Sequence, residues 1–194
     1  MPWTPSRAEA WDLLTEWVES ESLRRHCLAV EASMRAYARR RGADEEAWAV
    51  VGLLHDMDYE RFPDAETGHP RMAMAELEAR DAEPWIVRAI ASHADYLEVP
   101  RESEVEKVLY AVDELSGFVL ACAYVRPQGL EGMTPKSVKK KLKTPAFAAA
   151  VDRDDIARGA ADLGVDLDEH IAVVIEALAE RAGELGLGDR TPSA

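Results

Sequence analysis

Ser103-Glu104-Val105-Glu106-Lys107-Val108-Leu109-Tyr110-Ala111-Val112-Asp113 opens as a helix should and then places a carboxylate among apolar neighbours. Ser103 with Glu106 three residues later is a capping box, in which two otherwise unpaired N–H groups are satisfied reciprocally. The run is too long for a strand and predicts a helix from Ser103 to about Tyr124. Asp113 is the anomaly within it. A charge buried there alone would be costly, so it needs a partner, and a bound cation is one way to supply it.

The same signals recur in both directions. Ser6-Arg7-Ala8-Glu9 is a second capping box, followed by Ala10, Leu13, Leu14 and Trp17 on one side. Leu23, Cys27, Val30, Met34 and Tyr37 recur at helical spacing between about Ser22 and Arg41, with Gly42 as the stop. Trp48, Val51 and Leu54 mark a helix from about Asp44, and further helices are expected over 69–80, 84–93, 152–163 and 166–185. Thr134-Pro135 and Thr144-Pro145 each read as an N-cap with Pro at the first helical position. No stretch alternates as a strand does. The reading is an all-α, single-domain helical bundle over residues 1–187, with excursions at Phe62–Gly68 and Arg126–Met133 and a frayed tail at 188–194.

Composition is that of a globular chain: 194 residues, 47% hydrophobic and 31% charged. Asp and Glu outnumber Lys and Arg by 37 to 23, a formal charge of -14. Such a surface repels phosphate backbones, which argues against general nucleic-acid binding. No window holds the roughly 18–20 apolar residues of a membrane helix, and Met1–Arg7 lacks the order of a signal peptide, so a cytoplasmic protein is expected. Cys27 and Cys122 lie within apolar helical patterns and read as buried structural thiols.

The histidines are His26, His55, His69, His93 and His170. His26 lies on the stripe of Leu23, Cys27 and Val30, and His55-Asp56 closes the helix that carries Val51 and Leu54. His93 ends a helix whose inner face holds Ala89 and Ile90. Taken singly, a core histidine is usually a hydrogen-bonded core histidine, and His170 reads as structural. Asp113 alone would fit a helix cap or a pairing with Arg88. Together, inward-facing imidazoles and carboxylates on several helices suit one or two divalent ions (Mn, Fe, Co, Ni, Zn or Mg).

The order His26, then His55-Asp56, then Asp113 on successive helices resembles the H…HD…D signature of the HD-domain superfamily, with Leu53-Leu54-His55-Asp56 as its core phrase. The resemblance covers about Glu19 to Tyr124. It implies an all-helical fold, a divalent metal on these four residues, and usually phosphohydrolase activity. His69 in Gly68-His69-Pro70 and His93 in Ser92-His93-Ala94-Asp95 match the further histidines of the two-metal subset, in which Asp56 would bridge. Two ions a few ångströms apart can clamp a phosphoryl group and activate water.

The chain departs from the family's HDIGK at His55-Asp56-Met57-Asp58-Tyr59, where Tyr59 replaces the lysine. Asp58 then reads as a supporting group, a general base beside Asp56, or only a helix-end residue. Within the helix expected from Lys136 to Lys143, Lys136, Lys139, Lys140 and Lys143 share a face. That face is either a phosphate-binding surface replacing the missing lysine or a solvated one paired with surface acids. Arg61 and Arg126 are further candidates for phosphate contact.

The expectation is a metal-dependent phosphohydrolase acting on a small phosphomonoester or nucleotide, with a carboxylate such as Asp58 or Asp95 handling a proton. The alternatives are a di-iron oxygenase of the same fold and a non-catalytic domain that keeps metal for structure or sensing.

Overall fold

A computed structural model describes residues 2–188; the expected tail at 188–194 lies outside it from 189 onward. The described residues form α1 (Arg7–Trp17), α2 (Glu21–Arg41), α3 (Glu45–Leu54), α4 (Arg71–Ala79), α5 (Pro84–His93), α6 (Glu104–Tyr124), α7 (Pro135–Leu142), α8 (Arg153–Leu163) and α9 (Leu167–Glu180), with a single 3-10 turn at Asp95–Leu97 after α5. Strand-like pairing among them is confined to one bridge, Trp3 with Ala82, which ties the N-terminus to the turn before α5. The protein is an all-α single-domain bundle.

The ends follow the local chemistry. Ser6 accepts from the Glu9 N–H while Glu9 Oε2 accepts from the Ser6 N–H at 2.8 Å, and Glu106 Oε2 accepts from the Ser103 N–H at 3.0 Å. Asp44, Asp152 and Asp166 cap α3, α8 and α9 through their side-chain oxygens. α2 stops at Gly42 in the left-handed region, φ 67°.

α2 is buried around nearly its whole circumference from Cys27 to Ala38 and packs against α3, α6 and α9; α6 in turn meets α5 and α8. Burying each large apolar side chain here stabilises the fold by roughly 1.5–3 kcal/mol. The α2–α3 crossing is unusually close. A Cβ on Gly52 would lie 2.8 Å from Met34 Cγ and 3.1 Å from the Glu31 backbone. Glycine there draws the end of α3, and the residues following it, toward α2.

Among the described residues, fully buried side-chain polar atoms are paired except Arg153 Nε. Glu31, 2% exposed, takes Arg7 at 2.6 Å and Arg35 at 3.0 Å. Tyr37 donates to His170 Nδ1 at 2.6 Å, and His170 Nε2–H donates to the Ala111 carbonyl at 2.9 Å. That geometry fixes His170 as a structural core histidine, with burial lowering its pKa. Cys27 and Cys122 are free and buried.

Two expectations need correction. Thr144-Pro145 opens no helix; residues 145–150 are turns. The Arg153 guanidinium takes the carbonyls of Phe147, Ala148 and Val151, which a helix would use itself, while the Phe147 ring packs edge-on against Phe118 at 5.6 Å. The final helix ends at Glu180 rather than near Leu185. Turns follow through Gly183 and Gly186, the latter at φ 69°, and seat Leu185 in the core.

Candidate metal centre

Five elements bring six predicted ligands to one place. α2 presents His26, the end of α3 presents His55 and Asp56, the loop before α4 presents His69, α5 ends on His93, and α6 presents Asp113. The first group is His26, His55, Asp56 and Asp113. His26 Nε2 lies 3.3 Å from His55 Nε2, 3.5 Å from Asp56 Oδ2 and 3.1 Å from Asp113 Oδ1; His55 Nε2 lies 3.4 Å from Asp56 Oδ1 and 3.3 Å from Asp113 Oδ1. The second group is Asp56, His69 and His93. His69 Nε2 lies 3.2 Å from His93 Nε2 and 3.4 Å from Asp56 Oδ1, and His93 Nε2 lies 3.6 Å from the same oxygen. Asp56 belongs to both groups.

These separations test the fit to a cation. Ligands about 2.1 Å from one ion stand about 3.0–3.4 Å apart in octahedral to tetrahedral arrangements. Six of the eight spacings fall in that range and the other two, at 3.5 and 3.6 Å, lie just above it; His26, His55 and Asp56 form one group able to hold an ion and Asp56, His69 and His93 another.

The outer nitrogens fix which lone pairs face inward. His55 Nδ1–H donates to the Gly52 carbonyl at 2.8 Å and His93 Nδ1–H to that of Ile90 at 2.5 Å. His69 Nδ1–H donates to Asp58 Oδ1 at 2.7 Å. Each bond leaves Nε2 without a proton in the neutral ring and aims it at the centre. His69 itself is fixed by its loop: its backbone N–H donates to the Phe62 carbonyl, and Asp64 closes the turn by accepting from Glu66 and Thr67.

The electrostatics favour positive charge. Burial alone would lower His55 and raise Asp56 and Asp113. Their mutual attraction outweighs it, so His55 is raised to about 9 and both carboxyls sit well below the usual range. Glu114, beside Asp113, is raised to about 7 by burial and then by the Asp113 charge.

The site floors a cleft of about 960 Å³. Tyr59, Tyr96, Tyr110 and Tyr124 line it, together with Glu60, Asp95, Glu114 and Asp155. Among the described lining residues there is no lysine or arginine. That corrects the expected phosphate contacts. Arg61 donates to the Glu16 carbonyl at 2.6 Å and lies over Trp17. Arg126 braces its own loop through the Gly129 and Glu131 carbonyls. Lys136, Lys139 and Lys140 sit on α7, which packs through Val138 against α9 and α6, and Lys139 pairs with Asp168 at 2.6 Å. Lys136 and Lys140 are exposed, and none of the three lysines lines the cleft.

Asp58 is fully buried, with Oδ1 accepting from His69 and Oδ2 from the Ala73 N–H at 2.8 Å. Of the roles the sequence leaves open, this geometry fits the supporting one and leaves a general base no path to substrate. Asp95 does reach the cleft, held by Arg101 at 2.6 Å and Tyr110 at 3.3 Å. Arg88 pairs with Glu102 and Glu106 and leaves Asp113 to the histidines. Sequence reasoning missed Glu114 and Tyr96. Their one signal was adjacency to Asp113 and to the His93-Ala94-Asp95 run.

Comparison with curated proteins and with solved structures finds no match. The family model described as HD domain matches residues 23–117, a span that begins on α2 before His26 and ends on α6 after Asp113. With the helical bundle and the H…HD…D order now placed on its helices, the chain belongs to the HD-domain superfamily.

Proposed function

We propose that the protein is a metal-dependent phosphohydrolase acting on a small phosphomonoester or nucleotide, with residues 1–187 as its working domain. The observation that carries this reading is the sharing of Asp56 between two ligand groups at the floor of an open cleft. One or two divalent ions held there would supply Lewis acidity toward the phosphoryl oxygens and the attacking water. His26, His55, Asp56 and Asp113 hold the first position, and Asp56, His69 and His93 the second. Asp58 is a positioning residue that acts through His69. Asp95, unlike Asp58, lines the cleft, and in this reading it is the carboxylate that takes or gives a proton, with Arg101 and Arg158 holding it in position.

The test is reconstitution of the stripped protein with Mn, Fe, Co, Ni, Zn or Mg, followed by a panel of phosphoesters and metal analysis. Metal-dependent release of phosphate, with two ions per chain falling to one in His69→Ala and His93→Ala, is the expected result. A protein that hydrolyses no phosphoester with any of these ions ends the proposal. The six-ligand set also favours a second reading, a di-iron oxygenase, and retained iron with dioxygen-dependent turnover would install it instead. An open cleft above the ligands weighs against a purely structural ion.

A further inference from the structure

Four of the protein's five tyrosines line the one cleft that holds the candidate metal centre, and the charged residues that line it are carboxylates. Two of these tyrosines already have their polar or aromatic surface engaged. Tyr110 carries the Arg101 guanidinium 3.6 Å over its ring, and Tyr124 donates to the Leu185 carbonyl at 2.8 Å. Tyr59 and Tyr96 are the two whose rings are largely exposed. They are 48% and 47% exposed, and both flank His69: the Tyr59 ring stands edge to face with the imidazole at 5.2 Å, and the Tyr96 hydroxyl donates to the His69 carbonyl at 2.8 Å. Glu60 follows Tyr59 in the chain and is held in the wall by the Glu19 and Ser20 N–H groups at 2.7 and 3.0 Å. Glu114 opens on the cleft from α6, accepting one long bond from the Asp152 N–H at 3.3 Å.

Aromatic faces with carboxylates behind them attract organic cations, because the ring quadrupole and the carboxylate charge act in the same direction. They repel anions for the same reason. A phosphoryl group can be accommodated at the ligand cluster, but a chain of phosphates extending along the cleft meets carboxylates, and the arginines at its wall, Arg101 and Arg158, are already paired with Asp95 and Asp155.

We propose that the substrate is a phosphomonoester carrying an organic ammonium group, the ammonium lying against Tyr59 and Tyr96 within reach of Glu60 and Glu114. This rests on the phosphohydrolase reading for the reaction, whereas the recognition of the cation does not. It also accounts for Tyr59 standing where the related motif has a lysine. A lysine would bring a like charge to the ammonium.

The experiment has two arms, both on the metal-reconstituted full chain. In the first, choline alone is titrated calorimetrically into wild type, Tyr59→Phe and Tyr59→Leu; choline has no phosphate, so this arm is independent of hydrolysis. Binding in wild type and Tyr59→Phe, weakened about two- to thirty-fold in Tyr59→Leu, is expected from the usual strength of a cation over a ring. In the second arm, kcat/KM is compared for phosphocholine, its uncharged isostere 3,3-dimethylbutyl phosphate, and ATP. Phosphocholine should lead the isostere by a similar factor, and ATP should be the poorest. Absence of choline binding, or an isostere as good as phosphocholine, overturns the inference. Choline binding without hydrolysis of any ester would uphold the recognition and sink the phosphohydrolase reading instead.

Discussion

Asp58→Asn is the substitution whose consequence the geometry specifies most closely. The two carboxylate oxygens of Asp58 each accept one bond, from His69 Nδ1–H at 2.7 Å and from the Ala73 N–H at 2.8 Å, in a fully buried position. An asparagine fills the same volume but has only one acceptor oxygen. If its oxygen stays on Ala73, the amide NH2 faces His69 Nδ1 and favours the tautomer with the proton on Nε2, the nitrogen that faces His93 and Asp56. If the oxygen faces His69, the NH2 opposes the Ala73 N–H and leaves a buried donor unpaired, which costs about 1–3 kcal/mol. The first arrangement takes the free Nε2 lone pair from the second position, and the second arrangement keeps it at a cost to the fold. Loss of such a supporting partner typically lowers metal affinity about 10–100-fold, equivalent to about 1.4–2.7 kcal/mol. The assay is a calorimetric metal titration with stoichiometry checked by elemental analysis, and circular dichroism to show that the helices persist. The first ion, on His26, His55, Asp56 and Asp113, should bind as in wild type while the second weakens by that factor. A second ion bound with undiminished affinity, in a protein that melts as wild type does, would refute the supporting role of Asp58. Equal weakening of both ions would refute the division of the site into two groups.

Gly52→Ala should lower the melting temperature by about 3–10 °C, since its Cβ would enter Met34 and the Glu31 backbone and overpacking of this kind costs about 1–3 kcal/mol; an unchanged melting curve would show that the α2–α3 crossing is not tight. In the metal-free protein, His55 is raised to about 9 by Asp56 and Asp113 against the lowering effect of burial, so near pH 7.5 it holds a proton that ligation must displace. Calorimetry in buffers of different ionisation enthalpy should detect proton release, and affinity should rise with pH until about 9; ligation that releases no proton would contradict it. Glu114 is raised to about 7 by burial and by Asp113, so the stability it contributes is complete below its unfolded value near 4.5 and lost as pH rises through 7. Metal-free Glu114→Gln, which mimics the protonated group, should therefore match wild type near pH 4 and melt several degrees higher near pH 8. A difference independent of pH would show that Glu114 titrates normally.

The sequence by itself determined the class of fold and the order of the ligands. Ser6, Asp44, Ser103, Asp152 and Asp166 each carry their capping chemistry in the side chain, and the apolar period of α2 and α6 is a local property of the chain, so both survive reading without coordinates. His26, His55-Asp56 and Asp113 were legible because charged or ionisable groups stand out on apolar faces. Local signals failed where a distant group competed for the backbone, as Arg153 does for the carbonyls after Thr144-Pro145. They also failed where direction mattered. Nothing local says that α7 lays its Val138 side on α9 and α6 and turns Lys136 and Lys140 to solvent, or that Asp58 points inward under His69 while Glu114 and Tyr96 open on the cleft. Those outcomes depend on how closely the helices approach and at what rotation. The tertiary packing, with Gly52 admitting α3 against α2, decided them.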